Sequence, residues 1–197
     1  MRRLALAGAF ALAGSFLGCL GGAKTPPQFF TLSPAAGATA TPVATRPELG
    51  LALGQIELPR YLDRDELVTR SGPHELEVWG GVRWGGSLRT DIQRVVADDL
   101  GQLLGTARIA VYPVEARFPV RYRVLLDLLE FGGPRGGPVT LRARWTIAAS
   151  DGAALAVGES AVQQPPASAS WDDYVAAHST ALGAVTRELA EHIASLP

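Results

Sequence analysis

The sequence predicts an α/β (α+β) two-layer sandwich, a mixed and largely antiparallel sheet with two amphipathic helices on one face. Three observations predict it. Short runs of alternating apolar and polar residues are punctuated by Gly and Pro; two longer stretches carry apolar residues at spacings of three and four; and the order is strands, helix, four strands, helix. With 197 residues, 47% hydrophobic and 19% charged, the chain supports one cored domain rather than two. Its 22 Gly and 14 Pro stay below a low-complexity composition.

The elements are justified in order. Gln28-Phe29-Phe30-Thr31-Leu32 has the aromatic and β-branched content of a short strand, between a Pro-capped segment ending at Pro27 and an Ala/Thr/Pro/Gly-rich segment 33–47 that reads as linker. Alternation over 49–58 predicts a strand closed by Pro59, and 66–70 and 75–79 predict two more. Ser87 stands as N-cap ahead of Leu88, Ile92, Val95, Val96, Leu100, Leu103 and Leu104, and Gly105 stops that helix. Residues 108–112 form a strand ended by Pro113.

Residues 120–163 read as an antiparallel meander. A strand over 120–131 precedes the Gly/Pro loop 132–138; Val139, Leu141, Ala143, Trp145 and Ile147 then share one face of the next, and Asp151-Gly152 turns it into 154–162. The last helix opens on Ser170 with Asp173 in capping-box spacing, and Trp171, Val175, His178, Leu182, Val185, Leu189 and Ile193 form its apolar stripe.

Residues 1–18 read as a signal peptide. Arg2 and Arg3 precede an uncharged run of 14 residues from Leu4 to Leu17, which as a helix reaches about 21 Å, short of the ~30 Å of a bilayer core. Removing 1–18 shifts the formal net charge from −1 to −3. The one cysteine follows. Ser15-Phe16-Leu17-Gly18-Cys19 resembles the bacterial lipobox, which implies that Cys19 is diacylated, cleaved and made the acylated N-terminus; a plain secretory signal with an incidental Cys is the alternative. One cysteine cannot form an internal disulfide. Two or more acyl chains anchor stably where one binds marginally. Leu20 stands where the lipobox pattern carries Asp for inner-membrane retention, which implies sorting to the outer membrane. The chain therefore divides into signal peptide 1–18, a lipidated N-terminus and tether 19–48 with the short strand 28–32, and a single periplasmic α/β domain 49–197.

The near-neutral charge gives no basic field for nucleic acid, and scattered arginines are the ordinary solvated surface. Chemistry-bearing motifs are missing: no Walker loop, no G-x-G-x-x-G, no H-E-x-x-H, no G-x-S-x-G. His178 lies five and six residues beyond Asp173 and Asp172, off their face, and reads as a core-edge residue. Asp98-Asp99 reads as a solvated helix face. No metal, no cofactor and no enzymatic activity are expected. The segment that stands out is 56–70, a strand, a Pro stop, an aromatic and a Leu in a charged turn, then another strand.

That segment carries a resemblance. Phe29-Phe30-Thr31-Leu32, the turn Leu58-Pro59-Arg60-Tyr61-Leu62-Asp63-Arg64 with Leu67-Val68-Thr69-Arg70, Trp84 ahead of the first helix and the terminal helix ending Leu196-Pro197 resemble the paraquat-inducible protein C family, the ABC-type transport auxiliary lipoproteins. The match runs from about Gln28 to Pro197 and departs from the family at Gly85-Gly86 and in the linker 35–46. It implies a non-enzymatic, lipid-anchored protein of the outer membrane, facing the periplasm. Implied partners are an MCE-domain protein and inner-membrane ABC transporter components of a system that moves lipid between membranes, with homo-oligomerisation left open. The partner-binding residues expected are Pro59, Tyr61, Leu62, Asp63 and Arg64 of the turn, with Trp79 and Trp84, because aromatic and Arg side chains are the usual anchors of such contacts. Two other classes stay open: a carrier holding a phospholipid in an apolar groove between helix and sheet, and a hydrolase with an unrecognised site at His178.

Overall fold

A computed structural model describes residues 26–35 and 41–197. In chain order the elements are β1 (Gln28–Phe30), β2 (Leu51–Glu57), β3 (Glu66–Arg70), β4 (Leu76–Trp84), α1 (Leu88–Leu104), β5 (Ile109–Val111), β6 (Tyr122–Gly132), β7 (Val139–Ala149), β8 (Ala154–Gln164) and α2 (Trp171–Ser195). The fold is α+β with mixed sheets, as the sequence predicts, but the strands divide between two sheets: β5-β2-β6-β7-β8 and β1-β4-β3.

In the five-stranded sheet β6, β7 and β8 form the expected antiparallel meander. Gly152 takes φ 92° in the tight turn between β7 and β8, and Asp151 Oδ1 accepts the Ala153 N–H at 3.0 Å. β2 pairs in parallel with both β5 and β6. Parallel pairing needs a long crossover, and β3, β4 and α1 supply it between β2 and β5. Val139, Leu141, Ala143, Trp145 and Ile147 are all buried, so the alternation in β7 faces the core as read.

Both helices lie on that core face, α1 over β2 and β5, α2 over β7 and β8, and they pack on each other. Ser87 caps α1 by accepting the Thr90 N–H, and Gly105 ends it in the left-handed region at φ 61°. Ser170 accepts the Asp173 N–H at 3.1 Å, while Asp173 Oδ2 accepts from Ser170 Oγ at 3.0 Å. Each cap contributes about 1 kcal/mol. Asp99 departs from expectation: Asp98 is solvated and 3.5 Å from Arg94, but Asp99 is fully buried and accepts the Ala35 N–H at 3.3 Å. It faces inward because it shares the stripe with Ile92, Val96 and Leu103.

The three-stranded sheet closes one end of the sandwich. β4 continues to Trp84 through Gly80-Gly81, where the sequence predicts an end at Trp79. The glycine pair reads as a break, but the strand stays extended because β1 takes up Val82–Trp84 on its other edge. β1 starts at Gln28 since Pro26 and Pro27 have no N–H to give a ladder. Asp91 Oδ2 accepts the Leu32 N–H at 2.6 Å and Arg94 donates to the Leu32 carbonyl at 2.6 Å. Val43 N–H donates to Leu103 at 2.8 Å, and Arg46 reaches the Ile193 and Leu196 carbonyls at 3.1 Å, a cation at the α2 C-terminus. The described parts of the segment read as linker are thus fastened to the helices.

Candidate functional site

Pro59 ends β2, and the turn after it is held from within. The Leu62 N–H donates to the Pro59 carbonyl and the Arg64 N–H to that of Leu62, each at 2.9 Å. Leu62 points inward and is buried. From α1 the Arg89 guanidinium donates to the Ile56 carbonyl, to Asp63 Oδ2 at 3.0 Å and toward Glu57 Oε2 at 3.5 Å. One half-buried cation therefore staples both limbs of the turn.

The charges of the turn are largely matched inside the domain. Arg64 Nε lies 3.0 Å from Glu66 Oε2 and Arg83 3.8 Å from its other oxygen. The hydrogen bond from Arg64 holds the Glu66 carboxyl below its ordinary range. Tyr61 is half-buried beside Arg70 and Glu130, and burial pushes its phenol up, so it stays neutral. Leu76 and Val78, on the same outer face of β4, are 39% and 44% exposed. Their partners in register are Arg70 and Val68. Tyr61 and Leu76 line one shallow hollow with Val68 and Arg70, Val78 lies further along the same face of β4, and the ion-paired Asp63 and Arg64 stand in the turn beside Tyr61, a surface able to receive a protein contact.

The two tryptophans sit elsewhere. Trp79 points to the inner face, where its Nε1 donates to Thr69 Oγ1 at 2.9 Å and its ring meets Trp171 at 5.0 Å. The Arg135 guanidinium from the Gly/Pro loop lies 4.7 Å from the Trp79 ring and 4.8 Å from that of Trp171. Trp84 is 6% exposed. The expectation that Leu62 and Trp84 present themselves to a partner is therefore corrected: both are buried in the core, and the Trp84 ring packs 5.9 Å from His178 of α2. Trp79 forms a separate, half-buried patch with Trp171 and Arg135.

His178 lies deeper than the core edge expected of it. Its ring packs 4.7 Å from Phe131, 4.7 Å from Tyr174 and 5.9 Å from Trp84, and Nδ1–H donates to the Tyr174 carbonyl at 2.8 Å. Burial lowers its pKa to about 4, so the imidazole is neutral. The Tyr174 hydroxyl donates to the Gly133 carbonyl at 2.8 Å and accepts the Gly133 N–H at 3.0 Å, pinning the Gly/Pro loop; burial pushes its pKa up to about 12. Among the described residues no three His, Cys, Asp or Glu side chains converge on one point. Cys19 lies outside the described residues.

Sequence reasoning missed Arg89, Arg135, Trp171, Leu76 and Val78 as contributors. For Arg89 a signal existed: a cation in the first turn of a helix opposes the macrodipole, and such a residue needs a carboxylate or carbonyl to offset it.

The comparisons with known proteins bear on the family and the fold. The profile of the ABC-type transport auxiliary lipoprotein component family matches residues 30–190. Among solved structures, an uncharacterised protein superposes with a TM-score of 0.70 at 15% identity, over 86% of this chain and 99% of its own. A protein of Xanthomonas campestris, assigned to the DUF330 family, superposes with a TM-score of 0.64 at 21% identity, over 85% of this chain and 92% of its own. No curated protein matches the chain. At these identities the structures speak for the fold alone, whereas the profile spans most of the described residues: the chain belongs to the ABC-type transport auxiliary lipoprotein component family.

Proposed function

We propose that the protein is a non-enzymatic docking subunit, held to the outer membrane by an acylated Cys19 and facing the periplasm, that serves an MCE-type system moving lipid between membranes. The observation that carries the reading is the family match over residues 30–190, because it makes the chain an auxiliary lipoprotein of a transporter. Between Cys19 and the start of β1 at Gln28 the chain can extend at most about 30 Å, which bounds how far the domain stands from its anchor. Leu20 after the cysteine supports outer-membrane sorting.

The partner is an MCE-domain protein of the periplasm, together with inner-membrane ABC transporter components, and its contact is the surface of Tyr61, Leu76 and Val78 with Asp63 and Arg64. Exposed apolar side chains beside matched charges are the composition of a non-obligate contact with a polar rim. Tyr61→Ala combined with Arg64→Ala is expected to reduce co-purification of the MCE-domain protein with C-terminally tagged protein by about tenfold or more, since loss of one aromatic anchor alone costs about 2 kcal/mol. Full co-purification with that double variant, folded by circular dichroism, sinks the assignment of this surface.

A further inference from the structure

The face of the five-stranded sheet turned away from α1 and α2 has two unlike halves. On β7 and β8 it is solvated, with Arg142 2.6 Å and Arg144 3.4 Å from the Glu159 carboxylate. On β2, β5 and the near half of β6 small and apolar residues surround one cation, Arg123. Ala52, Gly54 and Ala110 form a low floor, and Leu125 lies across Gly54, where a Cβ would stand 2.6 Å from Leu125 Cδ2. The loop after β5 raises Tyr112, Val114 and Phe118 as a wall, enclosing a groove of about 670 Å³. Tyr112, Val114, Leu125 and, in the same row across Thr146, Val157 are between 48% and 69% exposed.

A groove of this size that sets apolar side chains beside a few polar groups, here Tyr112, Glu115, Arg123 and Ser150, is the form of a ligand site. Its charge narrows the occupant. Arg123 lies on the floor beside Ala52, exposed, and its guanidinium makes no ion pair or hydrogen bond among the described residues. The one carboxylate lining the groove is Glu115, in the loop wall. A free guanidinium beside an apolar hollow complements a hydrocarbon chain that ends in an anionic oxygen group. The space between the helices and the sheet, by contrast, is filled by Leu100, Ile147, Leu182, Val185 and Leu189, all fully buried.

We propose that this groove binds an anionic amphiphile, with hydrocarbon over Ala52, Gly54, Leu125 and Phe118 and its carboxylate or phosphate on Arg123. The site is separate from the docking surface and rests on the open sheet face alone. The test uses the lipidated full-length protein in phosphatidylcholine nanodiscs, with photoreactive palmitate as probe, photoreactive hexadecanol as the uncharged control, and mass mapping of the labelled peptides. Palmitate is expected to label peptides spanning β5 to β6. Ala52→Leu, which fills the floor, is expected to lower labelling by both probes about tenfold, and Arg123→Gln to lower palmitate labelling about tenfold while leaving hexadecanol unchanged. If Ala52→Leu fails to fold, Val114→Asp on the exposed wall makes the same prediction. Labelling that is confined to other peptides, or unchanged in both variants, overturns the proposal. Displacement of palmitate by inorganic phosphate alone overturns it in favour of a simple anion site, and capture of a protein at these peptides in whole envelopes without lipid label overturns it in favour of a protein contact. The docking reading is followed in the same variants by co-purification, so the two ideas fail independently.

Discussion

His178 sits one turn after Tyr174 on α2, with three aromatic rings around it and its Nδ1–H spent on a backbone carbonyl. Its folded pKa of about 4 lies below the ~6.5 of an unfolded histidine. Between those values the unfolded chain holds a proton that the native chain does not, so stability is full above about pH 6.5 and is lost as pH falls toward 4, by about 3 kcal/mol in all. Urea unfolding at pH 7 and pH 4.5 is expected to show this loss in the wild type, and to show a smaller one in His178→Leu, which has no imidazole to protonate. Equal losses in both proteins contradict the buried, neutral assignment. Arg89 is the second residue on which the account turns. Arg89→Met removes the donor to Ile56 and Asp63 and is expected to cost about 1–3 kcal/mol while accelerating amide exchange at residues 58–64. Uniform exchange there would mean the turn holds itself.

At the scale of elements, packing across strands decides what a residue can be. Trp145 on β7 stands opposite Gly158 on β8, where a Cβ would come within 2.3 Å of the indole. The indole Nε1 also donates to Ser160 Oγ at 2.9 Å, which fixes the ring in place. Gly158→Val is therefore expected to destabilise by about 1–3 kcal/mol through overpacking, read as a lowered urea midpoint. Gly80→Ala and Gly81→Ala meet open space and are expected to lie within about 0.5 kcal/mol of wild type by the same measurement. This contrast explains what was legible in the sequence. Caps and stripes at Ser87, Gly105, Ser170 and along both helices are local and periodic, so they could be read directly. The length of β4 could not, because it depends on β1 pairing from more than fifty residues away. The same holds for the division into two sheets, which meet where the Arg70 N–H donates to the Gly133 carbonyl at 2.9 Å and the Arg70 guanidinium lies 3.9 Å from the Glu130 carboxylate.

For the whole molecule, the helices and five-stranded sheet form the body, and the small sheet sets β1 and the charged turn at one end of it. The turn at residues 58–64 was legible as a feature because its Pro, Tyr and charges interrupt two clear strands. Its neighbours were not, since Leu76 reaches the hollow beside Tyr61 only through the register of β3 with β4. Trp84 reads as presented because it stands near a turn, but its ring packs on His178 of α2, almost a hundred residues away, a contact that local spacing does not show. The central claim is that this lipid-anchored chain works by holding a transport partner. The measurement that tests it most directly is affinity purification of tagged protein from detergent-solubilised envelopes, beside Cys19→Ala and the Tyr61→Ala, Arg64→Ala double variant, with bound proteins identified by mass spectrometry. The account predicts an MCE-domain protein with the wild type, diminished when the anchor is lost and again when the turn is changed. Recovery of no transport protein from any of the three contradicts it.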